Sequence, residues 1–259
     1  MKAIDLRKHM QQIGTWVNWQ NTADIFIAGD PNTEVERVAV AWQSRTAALR
    51  KAVEMGCGLF VTHEQTFYHE RQVAGKGEQQ PYELEKRKLI DDSGIVILRC
   101  HDTWDRVPEL GIVDSWAAHL GLTDRISAGK FEAVYAAPAP TLLQLAEYVA
   151  AKTANLGQDS VEMVGEPGAK ITKVAIGCGA GTNYRKMLEL GADAIIGSDD
   201  GMRYWADGSW ALDRKLPLVL VNHCVSEEPG MKNLAAYISK QFGVKAIHIP
   251  QGSMYRTVG

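Results

Sequence analysis

The feature that most constrains this chain is one pattern written twice. The stretch "RKAVEMGCGLFVTHEQ" (50–65) lies on "RKMLELGADAIIGSDD" (185–200) without a gap, pairing Arg50 with Arg185, Lys51 with Lys186, Glu54 with Glu189 and Gly56 with Gly191. Each copy reads as a helix closed by a glycine and followed by a short apolar strand, because glycine enters the left-handed conformation past a helix end with little strain. A further strand precedes each copy, "ERVAVAW" (36–42) and "TKVAIGCG" (172–179). Between strand and helix stand cap residues, Ser44 in the first copy and Thr182 or Asn183 in the second. Further on, "GIVILRCHDTWD" (94–105) echoes "LPLVLVNHCVSEE" (216–228): each apolar strand delivers a histidine and, four positions later, an acid. One offset of 122 positions relates His101 to His223, Asp105 to Glu227, and Gly121 to Gly243 at the ends of the helices that follow. Three ordered segments with matching chemistry imply internal duplication.

Strands alternating with amphipathic helices predict an α/β fold of two intertwined repeats, with mixed, largely parallel sheets covered by helices. The expected repeats are residues 1–125 and 126–259, interlocked as one structural unit with a metal site between them. The region 122–150 supplies a short strand, a Pro-rich turn and a helix begun by Thr141, while 154–170 carries strand and turn signals and reads as a surface connection. A formal charge of -3 gives no electrostatic reason to expect nucleic acid as a partner. No apolar run approaches the roughly 20 residues that span a bilayer, and the opening "MKAIDLRKHMQQIG" lacks the apolar stretch of a signal peptide. Cys57, Cys100, Cys178 and Cys224 are widely spaced without a CxxC pair, which predicts reduced thiols and a cytoplasmic location.

In such sheets ligands gather beyond the carboxyl ends of the strands. "VTHEQTFYH", "RCHDTWD" and "VNHCVSEEPG" place His63, Glu64, His69, His101, Asp102, Asp105, His223, Glu227 and Glu228 at three such ends. Imidazole and carboxylate without clustered thiolates suit a divalent ion such as Zn, Mn, Fe or Ni. The His-x-x-x-acid spacing lets a tight turn or a first helical turn aim both groups at one point. Glu227 also has two oxygens with which to bridge two ions about 3.5–4 Å apart. A lone strand-end histidine is more often structural, and it is the paired occurrence that favours metal. His69 fits a polar loop equally well, and His9, His119 and His248 read as ordinary helix and strand residues. Cys224 reads as a small buried residue rather than a nucleophile. The glycines at 177, 179 and 181 in "IGCGAGTNY" suit either a phosphate cradle or, better, a tight turn, since their spacing is not the dinucleotide fingerprint. "GSDDG" is not the Gly-x-Ser-x-Gly of a nucleophile elbow. Trp16, Trp19, Trp205 and Trp210 read as packing residues.

Several segments resemble the Nif-three-like dinuclear-metal-centre family, whose members are also labelled GTP cyclohydrolase 1 type 2 homologues. "WVNWQNTADIFIAGDPNTEVERVAVAW" is similar to its opening Trp-Asp-Asn…Gly-Asp-Pro segment and "GCGLFVTHEQTF" to its strand ending Thr-His-His-Pro. "CHDTWD" resembles its His-Thr-Asn-x-Asp, "GCGAG" its Gly-rich turn, and "VNHCVSEE" its late Gly-His-x-x-x-Glu. The resemblance implies interlocked α/β repeats, often assembled as toroidal homohexamers with inward-facing metal sites. It implies that His63, His223 and Glu227 hold one ion. Position 64, Asp105 and Glu227 then hold the other, with His101 close by. The family's second histidine is Glu64 here and its following proline is Gln65; a carboxylate at this point lowers the site's charge and favours harder ions. The expected function is a metal-dependent hydrolase acting on a small soluble metabolite, nucleotide-like compounds included, with Glu228 or Asp102 moving protons. The alternative is a metal-holding or metal-chaperoning scaffold without turnover.

Overall fold

The computed structural model describes residues 1–68 and 81–258; His69 lies outside them. Its elements run α1 (Ala3–Ile13), β1 (Phe26–Ala28), β2 (Arg37–Ala41), α2 (Thr46–Glu54), β3 (Leu59–Thr62), α3 (Leu84–Ser93) and β4 (Val96–Arg99). There follow α4 (Ile112–Leu120), β5 (Arg125–Ala128), β6 (Glu132–Ala136), α5 (Leu142–Thr153), β7 (Glu162–Val164), β8 (Lys173–Gly177) and α6 (Tyr184–Glu189). The chain ends with β9 (Ala194–Ser198), α7 (Ser209–Arg214), β10 (Leu218–Val221), α8 (His223–Phe242) and β11 (Lys245–His248). Two compact units result, one of Met1–Leu110 with Met231–Pro250 and one of Gly111–Gly230 with Gln251–Gly259. Each is therefore built from two stretches of chain, where the sequence reading places a single boundary after residue 125.

The first unit carries a five-stranded sheet in the order β1-β4-β3-β2-β11. Strands β4, β3, β2 and β11 run parallel, and β1 adds antiparallel to β4. Alternation along the strands decides which helices cover which face. Ala39, Ala41, Phe60 and Ile97 point to one side and pack with Ala48, Leu49 and Ala52 of α2 and Ile90 of α3. The intervening Val38, Val40, Leu59, Val61, Val96 and Leu98 are also buried, so these strands are apolar on both faces, as parallel pairing requires.

The second unit carries six strands in the order β5-β6-β8-β9-β10-β7. Here β8, β9 and β10 are parallel, whereas β5–β6, β6–β8 and β10–β7 pair antiparallel, so this sheet is more evenly mixed than the largely parallel one expected. Val174, Ile176, Ile196, Val219 and Val221 face Trp116 and Leu120 of α4 and Leu142, Leu145 and Val149 of α5. Ala175, Ile195 and Leu218, one residue out of phase, face Tyr184 and Met187 of α6 and Ala211 of α7.

The local readings of the duplicated pattern are met at most positions. Gly56, Gly191, Gly121 and Gly243 all take positive φ, at 69°, 97°, 74° and 67°. Asn183 caps α6 by accepting from Lys186 N, and Thr141 caps α5 by accepting from Gln144 N. Ser44 departs from expectation. The cap position of α2 is Arg45, without a side-chain bond, and Ser44 instead ties its amide to Thr62 Oγ1 at 3.0 Å and its hydroxyl to Thr66 at 2.8 Å. That bond serves the end of β3 rather than the start of a helix. The strand signal in 154–170 is met by β7, which closes the second sheet beside β10. Among the described residues no helix is long and apolar enough to cross a membrane.

Helix α5 offers a direct check on which positions hold the second core. Leu145 is fully buried while Leu143 is 44% exposed two residues earlier. Chemical denaturation should find Leu145→Ala destabilised by about 2–5 kcal/mol, and Leu143→Ala within about 0.5 kcal/mol of the native protein.

Candidate metal centre

In the first unit β3 ends at Thr62 and presents His63 and Glu64, while β4 ends at Arg99 and leads to His101. A 3-10 turn, Trp104–Arg106, then folds Asp105 back toward both histidines. His63 Nε2 stands 3.3 Å from Asp105 Oδ1, and His101 Nδ1 stands 3.3 Å from Asp105 Oδ2. The two imidazoles stack with centroids 4.4 Å apart. Glu64 is gripped from one side by Arg99, whose Nη2 lies 3.0 Å from Oε2, while its Oε1 lies 3.6 Å from His101 Nε2. Ligand atoms of His63, Glu64 and His101 lie within 4.8 Å of one another, as do those of His101, Asp102 and Asp105.

Backbone bonds hold this cluster in place. The amides of His63 and Glu64 both donate to the Trp42 carbonyl, and Arg99 Nε donates to the His63 carbonyl. Asp24, buried ahead of β1, accepts from three successive amides, those of His101, Asp102 and Thr103, and from the Thr103 hydroxyl. Burial raises the Asp24 pKa above the ordinary carboxylate value, with these donors acting against it. Asp102 is buried enough to raise its own pKa. Its bonds to His101 Nδ1, the Ala23 amide and the Thr22 hydroxyl win, and hold it well below the usual carboxylate range.

In the second unit β10 ends at Val221 and α8 begins at His223, so His223 and Glu227 share the first helical turn. Their Nε2 and Oε1 atoms are 3.0 Å apart. The end of β9 secures the histidine: Asp199 Oδ1 accepts the His223 amide at 2.9 Å, and Asp200 Oδ2 faces Nδ1 at 2.9 Å. Asp199 also accepts from Asn222 Nδ2 at 2.7 Å. The Cys178 thiol points at Glu227 Oε1 from 3.7 Å. Glu228 is buried as well, meeting Cys224 Sγ at 3.5 Å and the Gln251 amide at 3.3 Å.

Both clusters present the same electrostatic problem. A neutral imidazole carries one N–H. In His63 that hydrogen belongs on Nδ1, which faces the Cys100 carbonyl at 3.1 Å, an acceptor only. In His223 it belongs on Nδ1, facing the Asp200 carboxylate. Each Nε2 then aims a lone pair at a carboxylate oxygen, an arrangement that repels unless a proton or a cation stands between. Accordingly, although burial works to lower them, the pKa values of His223 and His101 lie well above the ordinary imidazole value. Glu227 and Asp200 raise the first, and Asp105, Asp102 and Glu64 the second. Hard carboxylates paired with imidazole nitrogens suit a divalent ion, and the residues present fit one.

The family model described as Duf34/NIF3 (NGG1p interacting factor 3) matches residues 4–253. The chain belongs to the Duf34/NIF3 family. Solved structures agree in fold. Staphylococcus aureus protein SA1388 superposes with a TM-score of 0.79 at 19% identity, covering 100% of this chain and 99% of that one. A Bacillus cereus protein related to NIF3 gives 0.79 at 14%, covering 100% and 99%. Reduced HcgD from Methanocaldococcus jannaschii gives 0.72 at 17%, covering 97% and 98%. No protein of curated function matches.

Within this Duf34/NIF3 chain, the first unit gathers His63, Glu64, His101, Asp102 and Asp105, and the second gathers His223 and Glu227, with Glu228 in the next helical position. His9 and His119 are structural, as expected, bonding to the Tyr237 hydroxyl at 2.7 Å and the Lys152 carbonyl at 2.8 Å. All four cysteines are buried, and no disulfide joins them. Asp24, Arg99, Asp199 and Asp200 went unread. A signal for Asp199 was present, because the duplicated alignment sets it opposite Glu64.

Two outcomes follow from this geometry. Asp24→Asn replaces an acceptor of three amides by a group that also donates, and should cost at least about 1.5–3 kcal/mol in chemical denaturation. Metal uptake must displace the protons that His101 and His223 hold, so Zn should bind more tightly as pH rises and release protons. Calorimetry in buffers of different ionisation enthalpy reads that release, which should grow as pH falls below the raised imidazole pKa values.

Proposed function

We propose that this protein holds one or two divalent metal ions through His63, Glu64, His101, Asp105, His223 and Glu227, and uses them to hydrolyse a small soluble metabolite, with nucleotide-like compounds among the candidates. The reading rests on one observation above all: in each unit a buried imidazole sets its Nε2 within 3.3 Å of a carboxylate oxygen. A divalent ion there supplies Lewis acidity, which brings the deprotonation of water toward neutral pH. The donor set suits Zn, Mn, Fe or Ni, and Glu64, in place of a further histidine, tilts the first cluster toward harder ions.

The chain's own groups supply the rest. Asp102 stays ionised, and its Oδ1 lies 3.1 Å from His101 Nδ1, so it orients that ring and favours a proton on the nitrogen it faces. Glu228 is the second carboxylate proposed to move protons. A metal-holding role without turnover also has an observation in its favour. Asp102 and Glu228 are both committed to bonds within the protein, which suits residues that brace a site rather than shuttle protons. Asp102→Asn separates the readings: a hydrolase loses rate by about 10²–10⁴-fold in protein still loaded with metal, whereas a holder has no turnover to lose and shows only weaker metal binding through the lost brace. Assembly as a homohexamer, proposed from the family resemblance, is read by sedimentation equilibrium. A cytoplasmic setting is proposed on the four buried thiols, which no disulfide joins.

Elemental analysis of the native protein, His223→Ala and Glu64→Ala is the primary test. Two ions per native chain, one lost with Glu64→Ala, support a dinuclear hydrolase and direct a screen of phosphoesters, cyclic amides and nucleotides. One ion, lost only with His223→Ala, assigns a mononuclear site. No metal under any loading condition rejects the proposal.

A further inference from the structure

Two turns that the proposed ligand set leaves unused meet at one side chain. The first is the Gly-rich turn after β8. Gly179 has φ of +45°, and a Cβ placed there would fall closer than 3.0 Å to His223 Nε2, His223 Cδ2 and Glu227 Oε1. Real Cβ atoms do not approach so near, and the obstacles are the two polar atoms that face one another at 3.0 Å. Gly181, two residues on in the same turn, has open space where its Cβ would be and no positive φ. Two things therefore separate these glycines: only Gly179 takes the left-handed conformation, and only Gly179 touches the His223–Glu227 pair.

The second turn follows β9. Asp199 fastens the His223 amide and Asp200 faces Nδ1 from the opposite edge of the ring. The turns also touch each other: a Cβ at Gly201 would lie 2.7 Å from Ser198 Oγ and 3.1 Å from the Gly179 carbonyl. The imidazole is thus held at its backbone and at Nδ1 by one turn, and pressed at Nε2 by the bare main chain of the other.

We propose that the turns 179–181 and 198–201 form a clamp that aims His223 Nε2, with Gly179 and Asp200 as positioning residues rather than ligands. Asp200 commits the ring proton to Nδ1, which leaves Nε2 as the donor atom. A carboxylate holding the far nitrogen of a metal-binding histidine sets both ring direction and basicity. Gly179, by lacking a side chain, leaves the space in which Nε2 and Glu227 Oε1 lie side by side. Neither "GCGAG" nor "GSDDG" then needs a phosphate or a nucleophile to account for it. The inference rests on the metal reading for its purpose, though not for its geometry.

The test uses the full-length protein with Zn alone as the ligand, and compares Gly179→Ala, Gly181→Ala, Asp200→Ala and Asp200→Asn, each checked for a native circular dichroism spectrum. Asp200→Ala should weaken Zn binding by roughly ten- to hundred-fold. Asp200→Asn keeps an oxygen that accepts from Nδ1 and should recover most of that loss. Gly179→Ala should reduce Zn per chain, while Gly181→Ala binds as the native protein does. If the native protein takes up no Zn, the metal reading fails, and the clamp is judged separately by nuclear magnetic resonance on metal-free protein. His223 ring signals, assigned by their absence in His223→Gln, should move in Gly179→Ala and stay in place in Gly181→Ala. The Nδ1-bound proton should be visible in the native protein and in Asp200→Asn but lost in Asp200→Ala. Should Gly179→Ala fail to fold, the Asp200 pair still decides. Native Zn affinity and native ring signals in Asp200→Ala, or in a folded Gly179→Ala, would overturn the clamp.

Discussion

The arrangement on which this structure turns is a carboxylate held against Nε2 of a buried imidazole. Removing a charge from water costs on the order of several kcal/mol per ion, and the pair recovers it only with a proton or a cation between the two atoms. The arrangement persists only where surrounding bonds leave the groups nowhere else to go. In the first unit those bonds are the Trp42 carbonyl gripping two amides, Arg99 gripping Glu64, and Asp24 gripping the turn after β4. In the second they are Asp199 and Asp200 at the end of β9. Each unit thus uses a carboxylate from outside the helix or turn to fix the amide of its strand-end histidine, Asp24 for His101 and Asp199 for His223.

Parallel strands supply the platform. In the first sheet β2, β3 and β4 lie side by side in chain order, with β1 antiparallel beyond β4; in the second β8, β9 and β10 do the same, with β7 antiparallel beyond β10. The polar clusters therefore emerge at equivalent strand ends, where backbone amides and carbonyls outrun the ladder and must find other partners. The sheets part company on the far side. The first continues with β11, parallel to β2, and the second with β6, antiparallel to β8.

Much of this was legible in the chain because it depends on local chemistry. The positive-φ glycines, the Asn183 and Thr141 caps, the doubly apolar strands and the histidines at their ends all follow from residue type and spacing. The misreadings have a different origin. Ser44 has the chemistry of a cap, but its hydroxyl finds Thr66 across the turn, and no local rule ranks those two partners. Asp24 was missed because its partners lie 77 to 79 positions away. The antiparallel pairings of the second sheet were missed because edge strands such as β5 and β7 are short and half exposed, with weak alternation to betray them. Strands and their end-of-strand histidines and acids were written locally, and their supports at long range.

The pairing of β11 with β2 has a consequence for how the molecule comes into being. Arg37 takes Lys245 as its partner, so the first sheet gains its last strand only once the chain has grown 208 positions past Arg37. A ribosome delivering the protein from its amino end would extrude β2, β3 and β4 long before the strand that seals them. Through that interval β2 offers a row of unsatisfied amides and carbonyls, an invitation to any other extended chain nearby. Such distant pairing is also slow to find. Nascent chains of this protein accordingly carry this hazard during synthesis, and it ends with the arrival of the four residues Lys245–His248.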